Sequence, residues 1–182
     1  MQLDIESELV RSRAVSVCRV MVGELPGQAA ELWHDLAAKS HKNLPESVLW
    51  DLQIEELLFA LHVLDRVASN RLTDRARTEF MDAAYQQVRE DVSRRFEDGA
   101  RASSFRDWLD ETYNARQAEY SGFQFRPAGK NESDKSTLFW EVSKRLTLAS
   151  GLTNPVFVVL VGNRVSGLAE LMAKLVDEIV CA

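Results

Sequence analysis

Apolar residues recur at intervals of three and four positions along most of the chain, the spacing that aligns side chains on one side of an α-helix. Short polar stretches rich in glycine, proline, serine or asparagine, which are typical of loops, separate these segments. The pattern predicts seven helices in one all-α domain covering residues 1–182. They fall at about residues 10–21, 26–36, 47–70, 74–98, 105–123, 138–149 and 155–180.

Capping residues mark several of these boundaries independently of the apolar pattern. Gly23 and Pro26 separate the first two predicted helices, since glycine favours a helix end and proline a helix start. Thr73 precedes the fourth helix as an N-cap, and Asn154 followed by Pro155 opens the last. Further caps are predicted at Asn43–Glu46, Asp98–Gly99, Ser104–Asp107 and Ser150–Gly151. Agreement between the two kinds of signal strengthens the all-α prediction.

Two predicted helices, 47–70 and 155–180, are the most apolar and should lie at the centre of the bundle. In the latter, Val156–Val161 is apolar on every side, which predicts that neighbouring helices surround it. A buried strand is the competing interpretation of this β-branched run. The apolar stripe that continues to Ile179 favours a helix.

Composition and charge narrow the functional classes. The formal net charge is −6 and no basic block occurs, so a nucleic-acid partner is not expected. The longest apolar run is far shorter than the roughly 20 residues that cross a membrane. The acidic first residues are not followed by an apolar segment, so no secretory signal is predicted. We therefore expect a cytoplasmic protein with no membrane partner, in which Cys18 and Cys181 are small apolar residues, although the sequence leaves a disulfide between them open.

The third predicted helix carries a narrow polar stripe made of Glu55, His62, Asp65 and Arg66, while Glu56 falls among the apolar residues. Carboxylates and imidazoles on facing helices build the metal sites of helical bundles. However, the Glu-x-x-His spacing of such sites is absent, and the chain has only three histidines. We therefore predict no metal and no cofactor. We interpret the stripe as the solvent edge of a mostly buried helix, where charged side chains pair with one another. If the stripe is half-buried instead, its charges would orient two helices rather than catalyse a reaction.

A second polar group lies on the fifth predicted helix. Tyr113, Arg116, Glu119 and Tyr120 share one flank, where they could bind an anion or a planar ligand. Aromatic residues at helical spacing are more often part of the core, which is the interpretation we favour. The loop at 122–134 combines aromatic and cationic residues with glycine and proline, and it is either a partner-binding segment or a simple connection.

These features favour a noncatalytic protein-interaction or regulatory module that binds a protein partner or a second copy of itself as a homodimer. Exposed tryptophans are the natural anchors of such an interface; the candidates are Trp33, Trp50, Trp108 and Trp140. No nucleophile, dinucleotide or metalloprotease motif occurs in the chain. The alternative is a helical-bundle enzyme whose metal or acid–base site is built from Glu55, His62, Asp65 and Glu119.

Overall fold

The computed structural model describes the backbone of residues 2–94, 99–125 and 137–179, and the side chains of 7–94, 104–125 and 137–178. Within these ranges the chain forms six helices and no named strand, which confirms the all-α bundle. They are α1 (Gln2–Ser40), α2 (Glu46–Ser69), α3 (Asp74–Ser93), α4 (Gly99–Ser121), α5 (Leu138–Ala149) and α6 (Pro155–Ile179). Of the loop predicted at 122–134, residues 126–134 lie outside the described ranges.

The number of helices differs from the prediction because the first two predicted helices are one. α1 runs for 39 residues through Gly23 and Pro26 without ending. The buried stripe explains this continuity, because Met21, Leu25 and Ala29 follow one another at helical spacing across the expected break, and all three are buried. Burial of this continuous apolar face outweighs the local cost of a glycine and a proline within a helix.

α2 is the centre of the bundle, as predicted. It packs against all five other described helices. Leu52, Leu58, Leu61 and Leu64 are fully buried along it, as is Phe59. A helix that neighbours surround in this way must bury any polar residue it carries or direct that residue at a partner. The polar residues of α2 are therefore the ones whose contacts are most informative.

α6 packs on α1, α2 and α5, but part of it is exposed. Val158 and Val161 are buried, whereas Val156 and Val159 are 67% and 59% exposed. The prediction that neighbours surround the whole of residues 156–161 is therefore wrong, because among the described helices none covers the outer side of this first part of α6. By length and composition alone, Pro155–Glu178 is also apolar enough to cross a membrane, with a mean hydropathy of 1.5. The core helix of a soluble bundle passes the same test when it is mostly buried, whereas 33% of this window is buried in the bundle.

Several predicted caps are confirmed. The side chain of Thr73 accepts a hydrogen bond from the backbone N–H of Ala76 at the start of α3. Thr137 caps the start of α5 in the same way, although no cap was predicted there. Asn154 accepts from the N–H of Val156 at the start of α6. Gly151 follows α5 in the left-handed conformation, with φ of +64°, a conformation that glycine adopts without the steric cost of a side chain.

Three other cap predictions are wrong in detail. Asn43 does not cap α2, whose N-cap is Pro45 without a side-chain hydrogen bond. The predicted end at 98–99 is also not observed, since α3 ends at Ser93. α4 already begins at Gly99, ahead of the box predicted at 104–107.

Candidate functional site

The interface between α2 and α4 holds the best-connected polar group of the described chain. The guanidinium of Arg116 donates to the carboxylate of Glu55 through both Nε and Nη2, with a shortest distance of 2.5 Å between Nη2 and Oε1. The hydroxyl of the fully buried Tyr120 donates to Glu55 Oε2 at 3.2 Å. The hydrogen bond to Glu55 raises the pKa of Arg116, so the guanidinium stays positively charged.

Glu119 extends this group to α5. Its carboxylate lies 3.6 Å from Nη1 of Arg116, one turn earlier on α4, and it also accepts from Arg145 of α5. Glu55, Arg116, Glu119 and Arg145 therefore alternate in charge across three helices. Such a row of alternating charges helps to set the relative positions of the helices, because every charge in it lies next to an opposite charge.

His62 lies in the same interface and is 2% exposed. Its Nε2 accepts from Nε of Arg66 at 3.2 Å, and its Nδ1 is 2.7 Å from Oε1 of Gln117. Because arginine only donates, Nε2 carries the lone pair and Nδ1 carries the proton that it donates to Gln117. Burial lowers the pKa of His62, which favours this neutral form. Both ring nitrogens are thus occupied, and neither is free to bind a metal.

Asp65 and Tyr113 face α3 instead. Both carboxylate oxygens of Asp65 accept from Arg77 of α3, at 2.7 and 2.6 Å. The ring of Tyr113 stacks on that of Tyr85 with 4.0 Å between centroids. Burial raises the pKa of Tyr113 to about 12, so it stays neutral. These two predicted site residues therefore belong to an interface with α3.

The structure accordingly brings some predicted residues together and separates others. Glu55, Arg116, Glu119 and Tyr120 form one group, and His62 adjoins it because its ring meets that of Tyr120 edge-on at 5.5 Å. Arg66 is held beside His62 and also donates to the carbonyl oxygen of Ser121. Asp65 and Tyr113 lie outside this group.

The four residues of the alternative enzyme site do not share one cavity. Asp65 pairs with Arg77 of α3, whereas Glu55 and Glu119 pair with Arg116 and Arg145. His62 is closed off by Gln117 and Arg66. In the residues whose side chains are described, no three His, Cys, Asp or Glu side chains are arranged to hold a metal ion. These ion pairs link α2 to α3 and α4, and α4 to α5, so they are suited to orienting the helices rather than to transferring a proton.

The outer side of the α2–α4–α5 interface forms a surface that the sequence did not indicate. One open groove of about 470 Å³ lies beside Trp108, and a second of about 370 Å³ lies beside Leu148. The two grooves share Glu55 and Ala149, so they adjoin. Trp108 is 44% exposed and Leu148 is 63% exposed. We call this surface, from Trp108 across Glu55 and Ala149 to Leu148, the docking face.

The sequence offered Trp108 as one of four tryptophans that could be exposed anchors, and of these four it is the one that is exposed. The buried neighbour Leu109 and the half-buried Phe105 do face inward, but Trp108 lies at the edge of that stripe and projects into the groove. No pattern in the sequence separates an edge position from a core position here, because both fall within the same broad apolar arc.

A second feature was recognised in the sequence only as a polar residue in apolar surroundings. Glu56 is 2% exposed, and neither carboxylate oxygen has a hydrogen-bond partner among the described residues. Burial raises its pKa to about 7, while the positive charge of Arg164 on α6 opposes this rise. Arg164 itself donates to the carbonyl oxygen of Gln28 and to Glu31 on α1. We call this region the α1–α2–α6 junction.

No protein-family model matches the chain, and neither a curated protein nor a solved structure is significantly similar to it.

Proposed function

We propose that this protein is a noncatalytic protein-interaction module that binds its partner through the docking face. The observation that carries the proposal is the pairing of two exposed apolar side chains, Trp108 and Leu148, with two adjoining grooves between them. Interfaces commonly depend on a few aromatic and aliphatic anchors that bury themselves in a partner, and tryptophan is enriched among them.

The charges between the two anchors support binding rather than catalysis. Four of the charged groups that surround the grooves, Glu55, Arg116, Glu119 and Arg145, are already paired with one another. A general acid or base needs a proton-transfer group that is accessible and near its own titration range. A surface whose polar floor is held by internal ion pairs is instead pre-organised, which reduces the entropy lost when a partner binds.

Net charge and residue composition support the proposed class of partner and cellular location. A net charge of −6 suits a protein partner better than a nucleic acid. A cytoplasmic location, with no cofactor and no membrane partner, fits the same interpretation. A second copy of the chain is the simplest form of partner, since two-fold pairing is the commonest assembly.

The experiment compares partner retention by single variants of the full chain. Immobilised wild-type protein should retain a defined partner from an extract of its source cells, as quantified by mass spectrometry. Trp108→Ala should reduce that retention at least about tenfold, because loss of a central anchor typically costs more than about 1.4 kcal/mol. Leu148→Ser should reduce it less. Analytical ultracentrifugation of the same proteins would detect self-association.

Leu9→Ser is the matched control. Leu9 is also an exposed leucine on a helix, at the far end of α1, and its substitution should leave retention unchanged. If Leu9→Ser reduced retention as much as Leu148→Ser, or if Trp108→Ala retained its partner fully, the docking face would not be the interface. A stoichiometric transition metal in the purified protein would instead favour the enzyme alternative.

A further inference from the structure

The Trp108 groove, which is the first of the two grooves of the docking face, is unevenly charged. Three carboxylates line it, those of Asp51, Glu55 and Glu111, against the single guanidinium of Arg116. Arg116 is already bound to Glu55. Asp51 and Glu111 are exposed and have no ion-pair partner among the described residues. Two negative charges on the walls of the groove are therefore not compensated by any side chain that the structure describes.

The second groove differs in this respect. Its acids are Glu55, Glu119 and Glu141, and all three have partners. Glu119 pairs with Arg145, and Glu141 lies 2.5 Å from the amine of Lys144. The unpaired negative charge of the docking face is thus confined to the end where Trp108 projects.

Trp108 also contacts a second aromatic ring. Its ring lies against Phe105 with 5.4 Å between centroids, and Phe105 in turn lies 6.4 Å from Trp50 on α2. An aromatic ring supported on one side and exposed on the other presents a π face of negative potential. Cations bind such faces, and the ring of tryptophan binds them best. Guanidinium groups make this contact more often than amines, because they are planar and weakly hydrated.

We propose that the Trp108 groove receives an arginine side chain from an extended, basic segment of the partner. The guanidinium would stack on Trp108 and donate to the carboxylates of Asp51 and Glu111, while Thr112 and Ala115 form the remaining wall. This inference rests on the proposed function and adds the chemistry of the partner. It also gives a role to Asp51 and Glu111, which have no ion-pair partner in the described part of the chain.

The test uses a fluorescein-labelled peptide of three Gly-Arg repeats as the probe. Its binding to the full chain is followed by fluorescence polarisation at about 150 mM salt, where charges beyond roughly 8 Å are largely screened. Wild-type protein should bind this peptide. A peptide with lysine in place of arginine should bind more weakly, and one with glutamate should not bind.

Two double variants with equal changes in net charge separate the groove from the acidic surface as a whole. Asp51→Asn/Glu111→Gln should weaken binding of the arginine peptide at least about tenfold, because both charge-assisted contacts are removed. Glu24→Gln/Glu170→Gln alters two exposed acids elsewhere and should leave binding within about twofold. Equal weakening by the two double variants, or no binding to the wild type, would overturn the inference.

Variants of the aromatic ring complete the test. Trp108→Ala should weaken peptide binding about tenfold, whereas Trp108→Phe should retain most of it, since phenylalanine keeps a π face. If the partner's retention depends on Trp108 but not on Asp51 and Glu111, the inference fails while the proposed function stands. A dimer that Trp108→Ala abolishes, but Asp51→Asn/Glu111→Gln does not, would identify a second copy as the occupant and would likewise refute it.

Discussion

Adjacent glutamates on the two flanks of α2 have opposite surroundings. Glu55 faces α4, where it accepts from Arg116 and Tyr120. Glu56 faces the α1–α2–α6 junction, where its carboxylate oxygens have no hydrogen-bond partner among the described residues. One residue of a helix corresponds to a turn of about 100°, so neighbours in sequence enter different interfaces. We therefore expect a buried acid to stabilise the fold where the facing helix supplies hydrogen-bond donors, and to destabilise it where the facing helix supplies none.

The two flanks also differ in how they respond to a change. The α2–α4 interface is a chain of paired charges, so removing any member leaves a partner without compensation. The α1–α2–α6 junction contains a carboxylate that would be better accommodated in its neutral form or as an apolar side chain. Substitution should therefore destabilise the first region and stabilise the second.

The largest effect is expected from the pH dependence of Glu56. Its pKa is raised by burial from 4.5 to about 7, so the folded protein binds a proton there that the unfolded chain releases. This contribution to stability is fully present below the unfolded pKa and is lost as pH rises towards the folded value. Between about pH 5 and pH 8 the free energy of unfolding should fall by about 2–3 kcal/mol from this group.

Glu56→Met isolates this contribution because methionine is similar in size and apolar. Urea unfolding at a series of pH values should show that the variant is more stable than the wild type at pH 8, and that the difference shrinks on acidification. A difference that stayed constant with pH would mean that Glu56 does not change its protonation on folding, and would remove the contrast with Glu55.

The next largest effect is expected on the opposite flank. Arg116→Met should lower the free energy of unfolding by about 2 kcal/mol, because it leaves the largely buried carboxylate of Glu55 with only Tyr120 as a partner. Lys174→Ala breaks an exposed ion pair with Glu178 and is the control, with an expected change within about 0.5 kcal/mol. Equal losses in the two variants would show that the Glu55–Arg116 pair is worth no more than a surface pair.

The fold was largely readable from the sequence because helical periodicity reports on buried faces directly. The exceptions are instructive. Gly23 and Pro26 are local signals of a helix end, but the buried positions Met21, Leu25 and Ala29 continue in phase across them. The phase of the stripe was visible in the sequence and would have predicted a single α1. The exposure of Val159 could not be predicted from the sequence, because an apolar residue type does not reveal whether another helix packs against it.

Only part of the candidate site could be predicted from the sequence. The polar stripe on α2 and the flank of α4 were identified separately, but Glu55 and Arg116 lie 61 residues apart, and no local pattern states that they meet. Glu56 could have been recognised as buried, because its position falls within the apolar arc of α2. The docking face could not, because it depends on where α5 leaves α2 and α4 uncovered, which is a property of the assembled bundle.

The smallest effect concerns the histidine of the α2–α4 interface. Gln117→Leu should cost about 1 kcal/mol in the free energy of unfolding, because the Nδ1–H of His62 loses its acceptor in a buried position. The cost is reduced because the buried Nε2 of Gln117, which has no partner among the described residues, is removed too. Gln86→Leu, at an exposed position of α3, should change the same quantity by less than about 0.5 kcal/mol.

The sign of the pH dependence gives this prediction a second readout. Burial lowers the pKa of His62, so its contribution to stability is present above its ordinary value of 6.5 and is lost as pH falls. This is opposite to the behaviour of Glu56, whose contribution is lost as pH rises. An NMR titration of the His62 ring should show the Nδ1-protonated neutral form persisting below pH 6.5. A ring that became charged at or above that pH would mean that Arg66 does not donate to Nε2, and the closed network on this flank of α2 would then be wrong.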